Sequence, residues 1–277
     1  MFSAVSRSDS GQCCPALVHT LPCLPCLPLT PNQYTARVTP STLVSGLVDF
    51  FYPERCVNCG QFGTVLCTPC ELSISSASTG PRCPLCSARW DNAGAAGLNC
   101  PRCLHMDAID HVYAAADMEG AARRVVHALK YRGVVRLAAV MAKAIAPLAE
   151  LQQADMLLAV PLHRQRQRQR GFNQSARILA ELGRTPSASK LLRVKNTSHQ
   201  VGMHLGERRS NISGAFAYEG PRLDGCRVAI LDDVVTTGAT ANECARVLRE
   251  HGARHVSVLA YARANYDPAA PSKQIFD

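Results

Sequence analysis

Four Cys-x-x-Cys pairs within fewer than fifty residues constrain the fold of this chain more than any other feature. The pairs are CVNC (56–59), CTPC (67–70), CPLC (83–86) and CPRC (100–103), with seven residues between the first two and thirteen between the last two. Each such turn directs two sulfur atoms at one ion, and two turns complete a tetrahedral zinc site. The spacing predicts a double zinc ribbon with two structural zinc ions; sharing of each ion by neighbouring pairs is favoured, and a cross-braced pairing stays open. The predicted ligands are Cys56, Cys59, Cys67, Cys70, Cys83, Cys86, Cys100 and Cys103.

Thioredoxin-type redox chemistry is the main alternative for a Cys-x-x-Cys pair. Four pairs in so short a segment, without a strand-helix context, favour structural zinc instead. The segment is short and polar, so metal binding is expected to supply much of its folding free energy. The remaining cysteines fall outside this spacing: Cys13, Cys14, Cys23 and Cys26 are unassigned, and Cys226 and Cys244 are expected to pack as small apolar residues.

The length of 277 residues allows one ordinary domain and a small module. We predict a flexible extension or a wrongly assigned start (1–42), the double zinc ribbon (43–106), a ligand-binding domain (107–265) and a C-terminal tail (266–277), with a short amphipathic helix at 43–53. A formal net charge of +9 favours acidic partners such as phosphorylated metabolites or nucleic acid. Neither an export signal nor 18 consecutive apolar residues are found, so a cytoplasmic protein without a membrane span is expected.

Strand and helix patterns alternate beyond residue 108. Apolar residues at helical spacing predict helices at 119–131, 134–151, 172–183 and 239–252, and short apolar runs predict strands at 155–160, 227–231 and 255–261. This alternation predicts an α/β fold with a parallel sheet flanked by helices. Ligands of such sheets bind beyond the carboxyl ends of the strands.

The stretch VAILDDVVTTGAT (228–240) lies at one of these strand ends. Adjacent carboxylates at Asp232 and Asp233 would repel each other unless vicinal ribose hydroxyls, or a magnesium ion held with them, bridged the pair. The following loop enters a helix N-terminus, where backbone N–H groups and the helix dipole favour a phosphate. A P-loop would require a lysine that is missing here, and a solvated acidic turn is the remaining alternative. The predicted phosphate-binding residues are Thr236, Thr237, Gly238, Ala239 and Thr240.

Residues 228–240 resemble the phosphoribosyl-pyrophosphate signature of type I phosphoribosyltransferases. Together with the cysteine pairs, VPLHRQRQRQRGFNQS (160–175) and RRSNISGAF (208–216), the chain resembles the ComF/GntX family over roughly residues 43–265. The resemblance implies a type I phosphoribosyltransferase-like sheet, binding of phosphoribosyl pyrophosphate with magnesium, and a role in DNA uptake during natural competence or in the use of DNA as a nutrient.

The resemblance also implies further site residues. In type I phosphoribosyltransferases the turn after the first core strand contacts pyrophosphate, and here that turn carries four arginines. Arg170 and Gly171 are expected to face the ligand, while Arg164, Arg166 and Arg168 include some that face only solvent or a nucleic-acid backbone. Lys130 and Tyr131 match a family pattern near the active site. The long polar segment 193–216 is expected to form a lid or to be disordered. If it forms a lid, the candidate ligand-binding residues are His199, for which a surface position is the alternative, Gln200, Arg208 and Asn211.

Two functions follow as hypotheses. In the first, the protein is a phosphoribosyltransferase with an unknown acceptor, in which Asp232 and Asp233 hold the ribose hydroxyls and stabilise positive charge on the sugar. In the second, the scaffold persists without catalysis as a ligand sensor or a protein that handles single-stranded DNA. In either case the zinc ribbons could dock competence-machinery proteins. No acceptor pocket can be recognised in the sequence.

Overall fold

The computed structural model describes residues 53–76, 80–90, 100–103, 105–183, 189–195 and 212–265. The predicted extension, tail and lid residues, and Cys13, Cys14, Cys23 and Cys26, lie outside this part of the chain, as does nearly all of the helix predicted at 43–53. In chain order the elements are α1 (Thr68–Ser76), β1 (His111–Asp117), α2 (Gly120–Arg132), α3 (Leu137–Gln152), β2 (Met156–Ala159), α4 (Arg164–Arg170), α5 (Gln174–Glu181), β3 (Lys190–Arg193), β4 (Phe216–Glu219), β5 (Arg227–Val235), α6 (Ala239–Glu250) and β6 (His255–Arg263).

A four-stranded parallel sheet forms the centre of the fold. Its strand order is β1-β6-β5-β2, with Leu158 opposite Ile230 and Ala229 opposite Ser257. Strands β5 and β6 are nearly continuous apolar runs, which is typical of parallel strands covered on both faces. The predicted parallel sheet flanked by helices and preceded by a zinc-ribbon module is therefore confirmed.

The two faces of the sheet carry separate hydrophobic cores, each containing one group of cysteines. Val228 and Ile230 of β5 pack with α6 and with the segment that contains Cys83, Cys86 and Cys100. Their neighbours Ala229 and Leu231 pack with α2, α3 and the segment that contains the first two cysteine pairs. Successive side chains of a strand point to opposite faces, so the two ribbons pack against opposite sides of one sheet.

Three strands were not predicted: β1 of the central sheet, and β3 and β4, which form a separate sheet. Strand β1, HVYAAAD, contains three alanines and no alternating pattern, so its strand conformation depends on pairing with β6 rather than on its own propensity. Strands β3 and β4 form an antiparallel pair in which Arg193 lies opposite Phe216, at the two ends of the predicted lid. Within the described residues, no helix is long and apolar enough to cross a membrane.

Candidate functional site

The structure brings the eight predicted zinc ligands together in two groups. Within each group the ligand atoms all lie within 4.8 Å of one another. Sulfur atoms are separated by 3.6 Å between Cys59 and Cys67 and by 3.9 Å between Cys86 and Cys100. A tetrahedron with zinc–sulfur bonds of about 2.3 Å has edges of about 3.8 Å, so both groups fit one zinc ion each. The groups are Cys56, Cys59, Cys67 and Cys70, and Cys83, Cys86, Cys100 and Cys103.

The backbone around the first group favours thiolates. Burial raises the pKa of the Cys56 thiol, but backbone N–H groups of Cys59, Cys67 and Asn58 together outweigh burial and lower it to about 6. The side-chain amide of Asn58 also donates to Cys70 Sγ at 3.1 Å. Metal binding requires thiolates, and these donors favour that form at Cys56. At Cys67 the backbone of Cys70 lowers the pKa, but the thiol of Cys70 and burial outweigh it and raise the pKa to about 12.

Asp232 and Asp233 lie within β5 rather than after its end, because this strand extends four residues beyond the predicted boundary, to Val235. Asp232 Oδ1 accepts hydrogen bonds from Ser175 Oγ at 3.1 Å and from the Asp233 backbone N–H at 2.9 Å. Burial, followed by the charge of Asp233, raises the pKa of the Asp232 carboxyl to about 7. The pair is therefore poised to exchange a proton for a cation or a hydroxyl-rich ligand near neutral pH.

A lysine from α2 compensates part of this negative charge. Lys130 Nζ lies 2.8 Å from Asp233 Oδ2, and its side chain is only 20% exposed. The charge of Lys130 also opposes the upward shift in the pKa of Asp232. The structure thus places Lys130 at the acidic pair.

The predicted phosphate loop, 236–240, connects β5 to α6. Gly238 is the N-cap residue of α6. Its φ of +79° is a backbone conformation that residues other than glycine rarely adopt. Thr237 Oγ1 accepts a hydrogen bond from the Ala239 N–H at 3.4 Å. The first N–H groups of a helix have no partner within the helix, so this loop offers several donors to an anion.

The arginine run forms α4, a helix of seven residues rather than an extended turn. Residues four apart share one face of a helix, so Arg166 and Arg170 lie together and are half-buried, whereas Arg164 and Arg168 are exposed. Burial, and then the charge of Arg170, lower the pKa of Arg166. Gly171 ends the helix with φ of +81°.

Arg170 contacts the end of α2, next to the lysine that pairs with Asp233. Its guanidinium lies 5.3 Å from the ring centroid of Tyr131, a side chain that is 63% exposed, and Tyr131 directly follows Lys130. Arg193 of β3 is a third arginine of this region, which the sequence did not reveal. Burial and the charge of Arg166 lower its pKa, and the charge of Asp232 opposes them. Arg193 is therefore close enough to interact with the charges of both Arg166 and Asp232.

A cleft of about 740 Å³ borders helix α4. It lies between β2, α4, α5 and β3, and it combines leucine side chains with cationic and amide groups. Such a lining fits a partly apolar anion. The lining residues include Leu158, Leu162, Arg164, Asn173, Leu191 and Arg193.

Comparison with known proteins places this arrangement in a family context. Residues 47–104 match the family model "Double zinc ribbon domain". The chain is 36% identical over 121 residues to Competence protein F of Haemophilus influenzae, an alignment that covers 42% of this chain and about half (53%) of that protein. It is 34% identical over 97 residues to Competence protein ComFC of Bacillus subtilis, covering 35% of this chain and 39% of that protein. Among solved structures, UMP synthase of Leishmania donovani aligns with a TM-score of 0.28 and 17% identity, over 50% of this chain and 24% of that one.

A longer alignment decides the family. The chain is 30% identical over 212 residues to the DNA utilization protein YhgH of Salmonella typhi, which covers 72% of this chain and 90% of that protein. This similarity extends well beyond the zinc ribbon into the sheet domain. The chain therefore belongs to the ComF family, with its double zinc ribbon on the N-terminal side of the parallel sheet.

Proposed function

We propose that this protein binds phosphoribosyl pyrophosphate at the carboxyl ends of β5 and β2 and acts in the uptake or utilisation of DNA. The observation that carries the proposal is the carboxylate pair in β5, one member of which has a pKa of about 7, directly before a glycine-containing loop at a helix N-terminus. A carboxylate pair of this kind lowers the free energy of unfolding when no ligand is bound. A loss of stability of this kind is typical of ligand sites. The names of the relatives, which refer to competence and DNA utilisation, support the biological role.

Each part of the ligand has a chemically matched partner. Asp232 and Asp233 would accept hydrogen bonds from the ribose hydroxyls, and the N–H groups of residues 236–240 would bind the 5-phosphate. Arg166 and Arg170, on one face of α4, would contact the pyrophosphate with charge-assisted hydrogen bonds. A magnesium ion bound with the ligand would neutralise part of the pyrophosphate charge.

If the protein catalyses transfer, an acceptor nucleophile forms a bond to C1 of the ribose while the bond from C1 to pyrophosphate breaks. The bonding electron pair leaves with pyrophosphate, so positive charge develops on the sugar. The Asp232 and Asp233 carboxylates are placed to stabilise that charge. The arginines of α4 would stabilise the departing pyrophosphate. The cleft between β2 and β3 is our candidate for the acceptor side.

Calorimetric titration tests the ligand. The zinc-loaded protein is titrated with phosphoribosyl pyrophosphate and magnesium beside an Asp232→Asn/Asp233→Asn variant, and Asp224→Asn serves as control. Asp224 is an exposed carboxylate that pairs with Arg222, before β5 begins. Binding by wild type and control, weakened at least about a hundredfold in the double variant, supports the site, because two hydrogen-bonded charges are worth roughly 3 kcal/mol or more. A folded wild type that does not bind, or a double variant that binds equally well, would refute it.

The outward face of α4 supports a second candidate, the handling of single-stranded DNA. Arg164 and Arg168 are exposed and point away from the half-buried Arg166 and Arg170. Exposed arginines of this kind suit phosphate backbones. The two pairs of arginines are on different faces, but Arg164 also lines the cleft proposed for the acceptor, so only Arg168 belongs to the DNA-handling face alone.

A further inference from the structure

The second zinc site is connected to the predicted phosphate loop by one buried arginine. Arg263, the last residue of β6, is only 1% exposed. Its Nε donates to the backbone carbonyl of Cys86 at 2.8 Å, and Cys86 is a ligand of the second zinc site. Its Nη1 donates to the carbonyls of Val235, at 3.0 Å, and of Thr236. One rigid, planar guanidinium therefore holds the zinc-site turn and the first residue of the loop at the same time.

Two further contacts connect the same parts. The side chain of Met106 lies against Gly238, so that a Cβ at Gly238 would collide with its terminal methyl group. Met106 is buried, and its N–H donates to the carbonyl of the zinc ligand Cys103 at 3.0 Å. On the first turn of α6, Asn242 Oδ1 accepts the Ala108 N–H at 3.0 Å. The loop and the helix start are thus packed onto the second ribbon.

The second ribbon is itself anchored at the sheet edge. The Val112 N–H of β1 donates to the Leu85 carbonyl at 2.7 Å, inside the third cysteine pair. Asp117, a fully buried carboxylate at the end of β1, forms ion pairs with Arg82 at 2.9 Å and Arg89 at 2.8 Å. Movement of this ribbon would therefore be transmitted to the ends of β1 and β6.

The first ribbon has a different attachment. Its polar contacts run to α2 and α3, where Arg124 donates to the Asn58 carbonyl at 2.8 Å and Lys143 pairs with Glu71 at 2.9 Å. These pairs are on the exposed surface, where ion pairs contribute little. The first ribbon is consequently the natural internal control for any effect of the second.

We propose that Arg263 is a positioning residue that couples the second zinc site to the phosphate loop, so that zinc at Cys83, Cys86, Cys100 and Cys103 holds residues 236–240 in their ligand-binding conformation. Zinc fixes the turn that supplies the Cys86 carbonyl, and that carbonyl fixes the guanidinium that orients Val235 and Thr236. Coupling between two binding events is reciprocal, so a ligand bound at the loop must strengthen zinc binding at the second site by the same factor. The identity of that ligand rests on the proposed function, but the coupling of zinc to the loop does not.

Hydrogen exchange of the loop amides tests the coupling without any ligand. Three variants are compared with wild type: Cys83→Ser/Cys86→Ser, Cys56→Ser/Cys59→Ser, and Arg263→Lys. A lysine retains the charge but replaces the planar guanidinium by a single ammonium group. We expect exchange at residues 237–241 to accelerate about tenfold, within the usual range of coupling, in the second-site variant and in Arg263→Lys, but not in the first-site variant. Arg263→Lys is expected to retain two zinc ions per chain.

Exchange in α3 provides the reference for global stability. Unchanged loop exchange in Arg263→Lys, or an equal acceleration in α3, would overturn the proposal, because Arg263 would then support overall stability alone. The proposal also fails if loss of zinc from the first site loosens the loop as much as loss from the second.

Reciprocity is tested with phosphoribosyl pyrophosphate and magnesium as the probe. The partition of zinc at equilibrium between the protein and a coloured competing chelator is measured with and without the probe, and we expect about tenfold tighter binding of one of the two ions in wild type and no difference in Arg263→Lys. Calorimetry on the same samples shows whether the probe binds. If it does not bind, the proposed ligand fails while the hydrogen-exchange result still decides the coupling. If it binds without changing the equilibrium affinity for zinc, the coupling fails while the proposed ligand stands.

Discussion

Asp232 illustrates how one side chain can report on both stability and function. Its pKa of about 7 lies above the ordinary value of 3.8 because of burial and the charge of Asp233. Between about pH 4 and pH 7 the folded protein therefore binds a proton that the unfolded chain has released. The free energy of unfolding must fall as the pH rises through this window. Above pH 7 the whole of this loss in stability remains. A carboxyl group maintained at such a cost is better explained by a ligand than by folding.

This linkage predicts that Asp232→Asn stabilises the protein at pH 8 and has little effect at pH 4. An asparagine retains an acceptor for Ser175 and for the Asp233 N–H but removes the charge. We expect a gain of about 1–3 kcal/mol at pH 8, or roughly 2–12 °C in Tm, measured by thermal unfolding across the pH range. Asp224→Asn, at an exposed carboxylate whose pKa is lowered by Arg222, should give no such gain. A wild type more stable than Asp232→Asn at pH 8 would show that the carboxylate pair does not cost stability.

The sequence revealed residues that form a local pattern and missed those that meet only through packing. Asp232 and Asp233 lie only two residues before the loop, so an apolar strand with carboxylates and a following glycine-containing turn is enough to predict them. Arg193 and Arg263 have no such context, because each is simply the last residue of a strand. Their roles arise from distant parts of the chain: Arg263 contacts Cys86, 177 positions away.

At the scale of elements, α4 shows why conformation decides what a charged run can do. In a strand, the four alternating arginines would all point to one side, but in a helix they divide into two pairs. The sequence predicted that the arginines would differ in role and named Arg170 for the ligand. It could not predict that Arg166 shares that face, because the helix is only seven residues long and lacks an apolar stripe. Similarly, β1 could not be predicted because its alanines favour no strand on their own.

The two faces of α4 predict separable effects on binding. Arg164→Gln/Arg168→Gln should weaken binding of single-stranded DNA, with the slope of log K against log salt reduced by about 1.4 for two lost phosphate contacts, and should leave binding of phosphoribosyl pyrophosphate unchanged. Arg166→Gln/Arg170→Gln should do the reverse. Fluorescence anisotropy over a salt series and calorimetry measure the two. Equal effects of both variants on both ligands would show that α4 presents one continuous basic surface.

At the scale of the whole molecule, one sheet carries a metal-stabilised module on each face. Buried cysteine side chains belong to both hydrophobic cores, so we expect zinc binding to stabilise the body of the protein as well as the ribbons. The sequence analysis predicted that metal binding supplies much of the folding free energy of the ribbon segment, and the packing extends this expectation to the sheet. The spacing of the cysteine pairs predicted the zinc sites. It could not predict the face of the sheet on which each ribbon packs, because that depends on how the strands assemble.

Removal of zinc is therefore predicted to destabilise the sheet domain. Elemental analysis should find two zinc ions per chain, one for each cysteine group. If zinc is present at a thousand times its dissociation constant, one site contributes about 4 kcal/mol, so losing it should lower Tm by roughly 8–16 °C. Thermal unfolding is to be followed in the near ultraviolet, where Tyr261, buried in the same core as the first cysteine group, contributes to the signal. Each double serine variant should lose one ion and part of this stability. A chelated protein that has lost both ions but unfolds at the wild-type temperature would mean that the ribbons are stable appendages without a share in the core.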